Sequence, residues 1–189
     1  MAAAEKLVSP EAFLDWEATQ TERHEYYVGS IYAMAGMSYA HSIRATNLVQ
    51  VFGRALRPPC RMHTEGLKVQ LGAAFVYPDA LILCGSPTFY GSRTETITNP
   101  TVIFEILSES TEAFDRGEKF RRYRSLEGLQ AVVFVSQNQP LVEVWTRAGE
   151  SWNVREYETL DAILTLTDPD VAVPLSELYD GIEFPDSLT

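Results

Sequence analysis

The chain has 189 residues, 46% hydrophobic and 22% charged, with a formal net charge of -11. That is the make-up of one globular α/β-sized domain over residues 1–189, not of a disordered chain, and its acidity argues against non-specific coating of nucleic acid, which Lys and Arg drive. No apolar run reaches the ~18 residues of a membrane span, and MAAAEKLVSPEAF holds no secretory h-region, so no membrane contact is expected and the expected compartment is the cytoplasm.

Ser9-Pro10 opens a helix, Ser as cap and Pro in the first turn. HEYYVGSIYAMAG reads as a hairpin turning at Val28-Gly29-Ser30. Ser38 caps a second helix, in which Ala45, Leu48, Val49, Phe52 and Leu56 recur at helical spacing until Pro58-Pro59. Cys60 and Cys84 are too few for a disulfide framework or zinc site and read as buried thiols. LKVQL, FVYPDALIL, TVIFEIL, QAVVFV and LVEVWTR read as strands. Three of them are nearly continuous apolar runs, as central strands covered on both faces would be. The tail LTLTDPDVAVPLSELYDGIEF reads as strand, turn and short closing helix. The expected architecture is a mixed sheet flanked by helices.

Two of these strands carry an acid against the apolar pattern: Asp79 in FVYPDALIL and Glu105 in TVIFEIL. A carboxylate buried in a strand is costly unless it is paired or binds a metal. Each alone reads as readily as a strand-end acid. Together, on strands ~4.8 Å apart, they can share one Mg²⁺ or Mn²⁺. The following stretch, FDRGEKFRRYRSL, concentrates five basic residues from Arg116 to Arg124. Within it Asp115, Lys119 and Tyr123 form a stripe that drifts only ~40° per step on a helix. Facing the sheet, this stripe would bring Lys119 to the acids, as metal-assisted phosphodiester hydrolysis requires. The alternative is a solvated Lys119 paired with Asp115. The arginines, including Arg116 and Arg122, would rim the stripe and could meet a phosphate backbone.

At these residues the sequence resembles the Uma-type family of restriction endonucleases, within the PD-(D/E)XK nuclease superfamily. The motifs are PDALIL, EILSES and DRGEKFRRY, with HEYYVGSIYAMAG, SYAHSIRATNL and VEVWTR in support. The resemblance implies a restriction-endonuclease-like core, a four-stranded mixed sheet flanked by helices, with Asp79 and Glu105 as metal ligands; the N-terminal helix and β-hairpin read above precede that core. The superfamily's lysine stands two residues after the second acid, where this chain has Leu107; the resemblance places it at Lys119 instead. Glu25 matches the family's early glutamate and could add a carboxylate; otherwise it is a solvated strand-end acid. His41 is either a satisfied core or capping histidine or a phosphate or water contact in the cleft. Ser108 is expected to support the loop after Glu105. His24 and His63 receive no role, and three scattered histidines argue against a zinc hydrolase.

The expected function is Mg²⁺- or Mn²⁺-dependent cleavage of DNA by a homodimer, with Asp79, Glu105, Lys119 and Glu25 catalytic and with His41, Ser108, Arg116, Arg122 and Tyr123 at the substrate. The alternative is a nuclease-fold module that binds nucleic acid or protein with weak or no catalysis. Hydrolysis of a small phosphoester would suit the acidity but has no pocket motif behind it.

Overall fold

The computed structural model describes residues 8–34, 36, 38–64 and 66–184. The first seven residues, part of the segment without a secretory pattern, lie outside the described residues. Helix α1 (Pro10–Glu17) starts where Ser9 Oγ accepts the Ala12 N–H at 3.2 Å. Strands β1 (His24–Tyr27) and β2 (Ser30–Ala33) form the expected hairpin. Val28 and Gly29 both have positive φ, 48° and 97°, as a tight twisted turn demands. The glycine takes this freely; the β-branched valine is strained there. Ser38 caps α2 (Tyr39–Ala55) through the His41 N–H. Its buried face is Ala45, Leu48, Val51 and Phe52, so Val51 takes the core position expected of the half-buried Val49.

The strands that follow are β3 (Cys60–Thr64), β4 (Lys68–Leu71), β5 (Ala74–Val76), β6 (Ala80–Cys84), β7 (Phe89–Tyr90), β8 (Arg93–Ile97) and β9 (Val102–Leu107). A helical segment then runs through α3 (Glu112–Phe114), a π-helical turn (Asp115–Lys119) and α4 (Phe120–Tyr123). Strands β10 (Ala131–Ser136), β11 (Val142–Ala148), β12 (Ser151–Tyr157), β13 (Ile163–Thr167) and β14 (Asp170–Pro174) precede α5 (Leu175–Leu178).

The central sheet has the order β12-β11-β10-β9-β6-β3 and is mixed, with β9 and β10 parallel and the other pairs antiparallel. It is six-stranded, where the resemblance implied four. Alternate residues feed two cores. Ile82, Val102, Phe104 and Val133 pack with α2, the β13–β14 hairpin and α5. Leu81, Ile103, Val132 and Phe134 pack with a second sheet, β2-β1-β5-β4-β8-β7, and with Phe120 and Tyr123. Burial on both faces explains the unbroken apolar runs. Among the described residues no helix is long and apolar enough to cross a membrane.

Three expectations need correction. FVYPDALIL is not one strand: Tyr77, Pro78 and Asp79 separate β5 from β6, and the two strands belong to different sheets. Pro78 cannot donate a ladder hydrogen bond, and it disfavours a continuous interior strand. The tail carries a second strand, β14, paired with β13. Cys60 and Cys84 are not thiols but a disulfide, because the β3–β6 register sets them directly opposite each other, Cα atoms 3.9 Å apart.

Candidate active site

Asp79 immediately precedes β6, and Glu105 lies inside β9. The antiparallel register pairs Ala80 with Phe104, so Asp79 and Glu105 each stand one residue beyond that pair, close enough for the Asp79 charge to act on Glu105. Asp79 is fixed at both oxygens: Oδ2 accepts the Ile106 N–H at 2.6 Å, and Oδ1 meets His41 Nε2 at 2.8 Å. The other His41 ring nitrogen lies 3.2 Å from Gln137 Nε2. His41, carried in the first turn of α2, thus touches the acid directly.

The helical segment closes over the acids. Its π-helical turn directs Asp115 and Lys119 inward, and both are buried with Phe120 and Tyr123. The expected stripe therefore faces the sheet, although the helix carrying it is partly π rather than purely α. Lys119 Nζ lies 2.9 Å from Glu105 Oε1, 3.3 Å from Glu25 Oε1 and 3.7 Å from Asp115 Oδ1, with its side chain 7% exposed. Glu25 is held by the Tyr77 N–H at 3.1 Å and by the Tyr27 hydroxyl at 2.7 Å. Tyr123 donates its hydroxyl to Glu105 Oε1. Expected at the substrate, Tyr123 is instead fully buried beneath the acid, where a ring with a bonded hydroxyl packs well.

The electrostatics follow from burial. Desolvation pushes the Glu105 carboxyl well above the usual carboxylate range; the Lys119 ammonium opposes this, while Asp115 and Asp79 add to it. Burial also works against the Lys119 ammonium, but Glu105, Tyr123, Glu25 and Asp115 outweigh it and hold its pKa well above that of an ordinary lysine. Asp115 is raised by burial against the pull of Lys119. The cluster is a buried cation among convergent carboxylates, a pattern enriched at functional sites.

The remaining expected residues lie around this centre. Ser108 Oγ meets Thr111 Oγ1 at 2.9 Å and Ser110 Oγ at 3.1 Å, while its carbonyl accepts the Thr111 and Glu112 N–H groups. It thus shapes the turn into the helical segment. Arg116 pairs with Glu112 at 2.7 Å and with Glu143. Arg122 pairs with Glu118 at 2.7 Å and lies over the Tyr27 ring. His24, given no role from the sequence, meets the buried Glu17 at 3.0 Å. Helical or hairpin spacing gave no sign of that pair, since α1 and β1 meet only in the tertiary fold.

Residues 10–176 match the family described as "Uma2: Putative restriction endonuclease". The chain is 35% identical to "Uncharacterized protein slr1290" of Synechocystis sp. (strain ATCC 27184 / PCC 6803 / Kazusa), covering 94% of each chain. It is 27% identical to "Uncharacterized protein sll1609" of the same strain, over 82% of this chain and 89% of that one. Its fold is similar to that in "Crystal structure of a putative nuclease belonging to DUF820 from Anabaena variabilis ATCC 29413 at 1.96 A resolution", with a TM-score of 0.75 and 17% identity, covering 90% of this chain and 97% of that one. With the mixed sheet and the ordered acids already in place, these similarities lead to one conclusion: the chain belongs to the Uma2 family and has the fold of that nuclease.

Proposed function

We propose that the protein is a metal-dependent endodeoxyribonuclease that hydrolyses DNA phosphodiesters at Asp79, Glu105 and Lys119, assisted by Glu25. The observation that carries this reading is the Lys119 ammonium, buried against Glu105, with Asp79 near enough to push the Glu105 carboxyl further up. Among the described residues no group of three or more His, Cys, Asp or Glu converges on a metal-sized space. Two neighbouring carboxylates fit Mg²⁺ or Mn²⁺, which keep waters and take substrate oxygens as their remaining ligands. Asp79 and Glu105 would hold the ion, and the bound ion would supply polarisation of the phosphoryl group.

The chain's own residues do the rest. The Ile106 N–H and His41 orient Asp79. Tyr123 orients Glu105. Hydrolysis adds a water oxygen to phosphorus and releases one sugar oxygen, which leaves with a proton. Negative charge grows on the phosphoryl oxygens meanwhile, and Lys119 is a fixed, desolvated cation that stabilises it. His41 and Ser108 line the approach, and Arg116 and Arg122 would meet phosphates by exchanging their carboxylate partners. A homodimer in the cytoplasm completes the reading; light scattering across micromolar concentrations checks the dimer.

The binding-module reading is favoured by a different observation: each cation from Arg116 to Arg122 already sits within ion-pair distance of an acid. Plasmid DNA incubated with Mg²⁺ or Mn²⁺ decides between the two. The nuclease reading expects nicking by the wild type that chelator and Asp79→Ala abolish. Plasmid and single-stranded DNA both left intact, or equal nicking by Asp79→Ala, overturns it.

A further inference from the structure

The candidate site has an aromatic border that the hydrolytic machinery does not use. Tyr32 is the cross-strand partner of Glu25 in the β1–β2 hairpin, so both side chains project from the same face. Phe114 directly precedes Asp115. Tyr32 is 55% exposed and Phe114 41%. Both rest on Tyr27, which is buried: Tyr32 lies 5.6 Å from it and Phe114 5.2 Å, each edge-on. The Arg122 guanidinium, anchored by Glu118, lies over the Tyr27 ring at 5.5 Å. Tyr27 itself donates its hydroxyl to Glu25. The result is a supported ledge of two open rings joined directly to two acids of the cluster. A third open ring, Tyr39 at 83% exposure, stands two residues before His41 in the first turn of α2.

Large exposed aromatics beside a hydrolytic site are wasted on an intact duplex, whose bases are already stacked and whose outer surface is phosphate. Duplex tracking needs cations free to replace counterions, and those nearest the site must each first give up a pair with Glu112, Glu143, Glu118, Glu25 or Glu105. Unpaired bases supply the complementary surface. Aromatic rings stack on any base and add affinity beside the electrostatic attraction, a share that a chain of net charge -11 can still supply.

We propose that the substrate strand is unpaired where it is cut, with bases next to the scissile phosphate stacked on Tyr32 and Phe114. This rests on the nuclease reading above for the cut, but the stacking is measurable without it. A single-stranded oligonucleotide with a central 2-aminopurine, in Ca²⁺ buffer, should be quenched on binding, and the matching duplex should bind at least about tenfold more weakly. Tyr32→Ala and Phe114→Ala should each weaken single-strand binding by about tenfold, the loss expected of one stacking ring, while Tyr32→Phe retains it. Both rings are exposed, so circular dichroism should show folded variants. With Mn²⁺, the two alanine variants should raise KM on the single strand and leave kcat nearly unchanged.

Quenching that both alanine variants lose, without cleavage of any DNA, would support the ledge and remove the nuclease reading. Cleavage with duplex bound as well as single strand, or with affinity unmoved by either alanine variant, would keep the nuclease and overturn the ledge.

Discussion

Among the described residues two buried lysines sit among acids, and their fates differ. Lys119 has three carboxylates within 3.7 Å, all themselves largely buried, and its pKa is driven up. Among the described residues Lys68, in β4, has one ionic partner, Glu95, at 3.9 Å and 43% exposed. Its ammonium donates to the Tyr77 hydroxyl at 3.4 Å, which in turn donates to Glu17 at 3.0 Å. Burial lowers the pKa of Lys68; Glu95 and Glu17 only partly oppose this, and Arg93 and Arg23 push the same way. Tyr77 links the two clusters, its hydroxyl to Glu17 and its N–H to Glu25. Burial alone thus makes a lysine give up its proton more readily; only convergent carboxylates fix the charge. The first arrangement suits a cation that must persist beside a phosphate. The second suits a structural network that ties α1, β1 and β4 together.

Substitutions can break that contrast. Lys119→Ala should cut cleavage by about 100-fold or more, the loss of one electrostatic stabiliser. Lys68→Met should leave cleavage by the folded protein unchanged, since Lys68 touches neither Asp79 nor Glu105. Equal losses in the two variants, measured on one plasmid substrate, would erase the distinction. Glu17→Gln should lower stability by about 1–3 kcal/mol, because buried donors from His24 and Tyr77 lose a charged acceptor; denaturant midpoints read this, with activity below the transition retained. Tyr27→Phe should cost about 1 kcal/mol and slow cleavage only a few-fold through a less constrained Glu25. Arg122→Ala should be mildest on duplex affinity, about 0–1 kcal/mol, with a salt slope lower by less than about 1. A larger fall would mean that phosphate holds Arg122 much more strongly than Glu118 does.

Much of the first cluster is legible in the chain because it sits on periodic elements. Glu105 interrupts an apolar strand, and Asp115, Lys119 and Tyr123 keep one face through a helical segment. The π-helical turn shifts the local hydrogen bonding without turning that face away. Asp79 was visible as an acid out of place, but Pro78 ends β5 and starts a new strand in another sheet, which strand propensity alone does not show. The disulfide escaped because Cys60 lies in CRMHT, a strand too polar to read as one, and because pairing with Cys84 depends on register. The Lys68 network escaped for a simpler reason. Its members run from Glu17 to Glu95 and meet only when α1, β1, β4 and β8 are assembled.

The central claim is that Asp79 and Glu105 hold one divalent ion beside Lys119. Calorimetric titration with Mn²⁺ tests it most directly, free of any question about substrate. The wild type and Lys68→Met should bind one ion per chain with the same isotherm, and Glu105→Ala should lose that binding. Identical isotherms for the wild type and Glu105→Ala would contradict it.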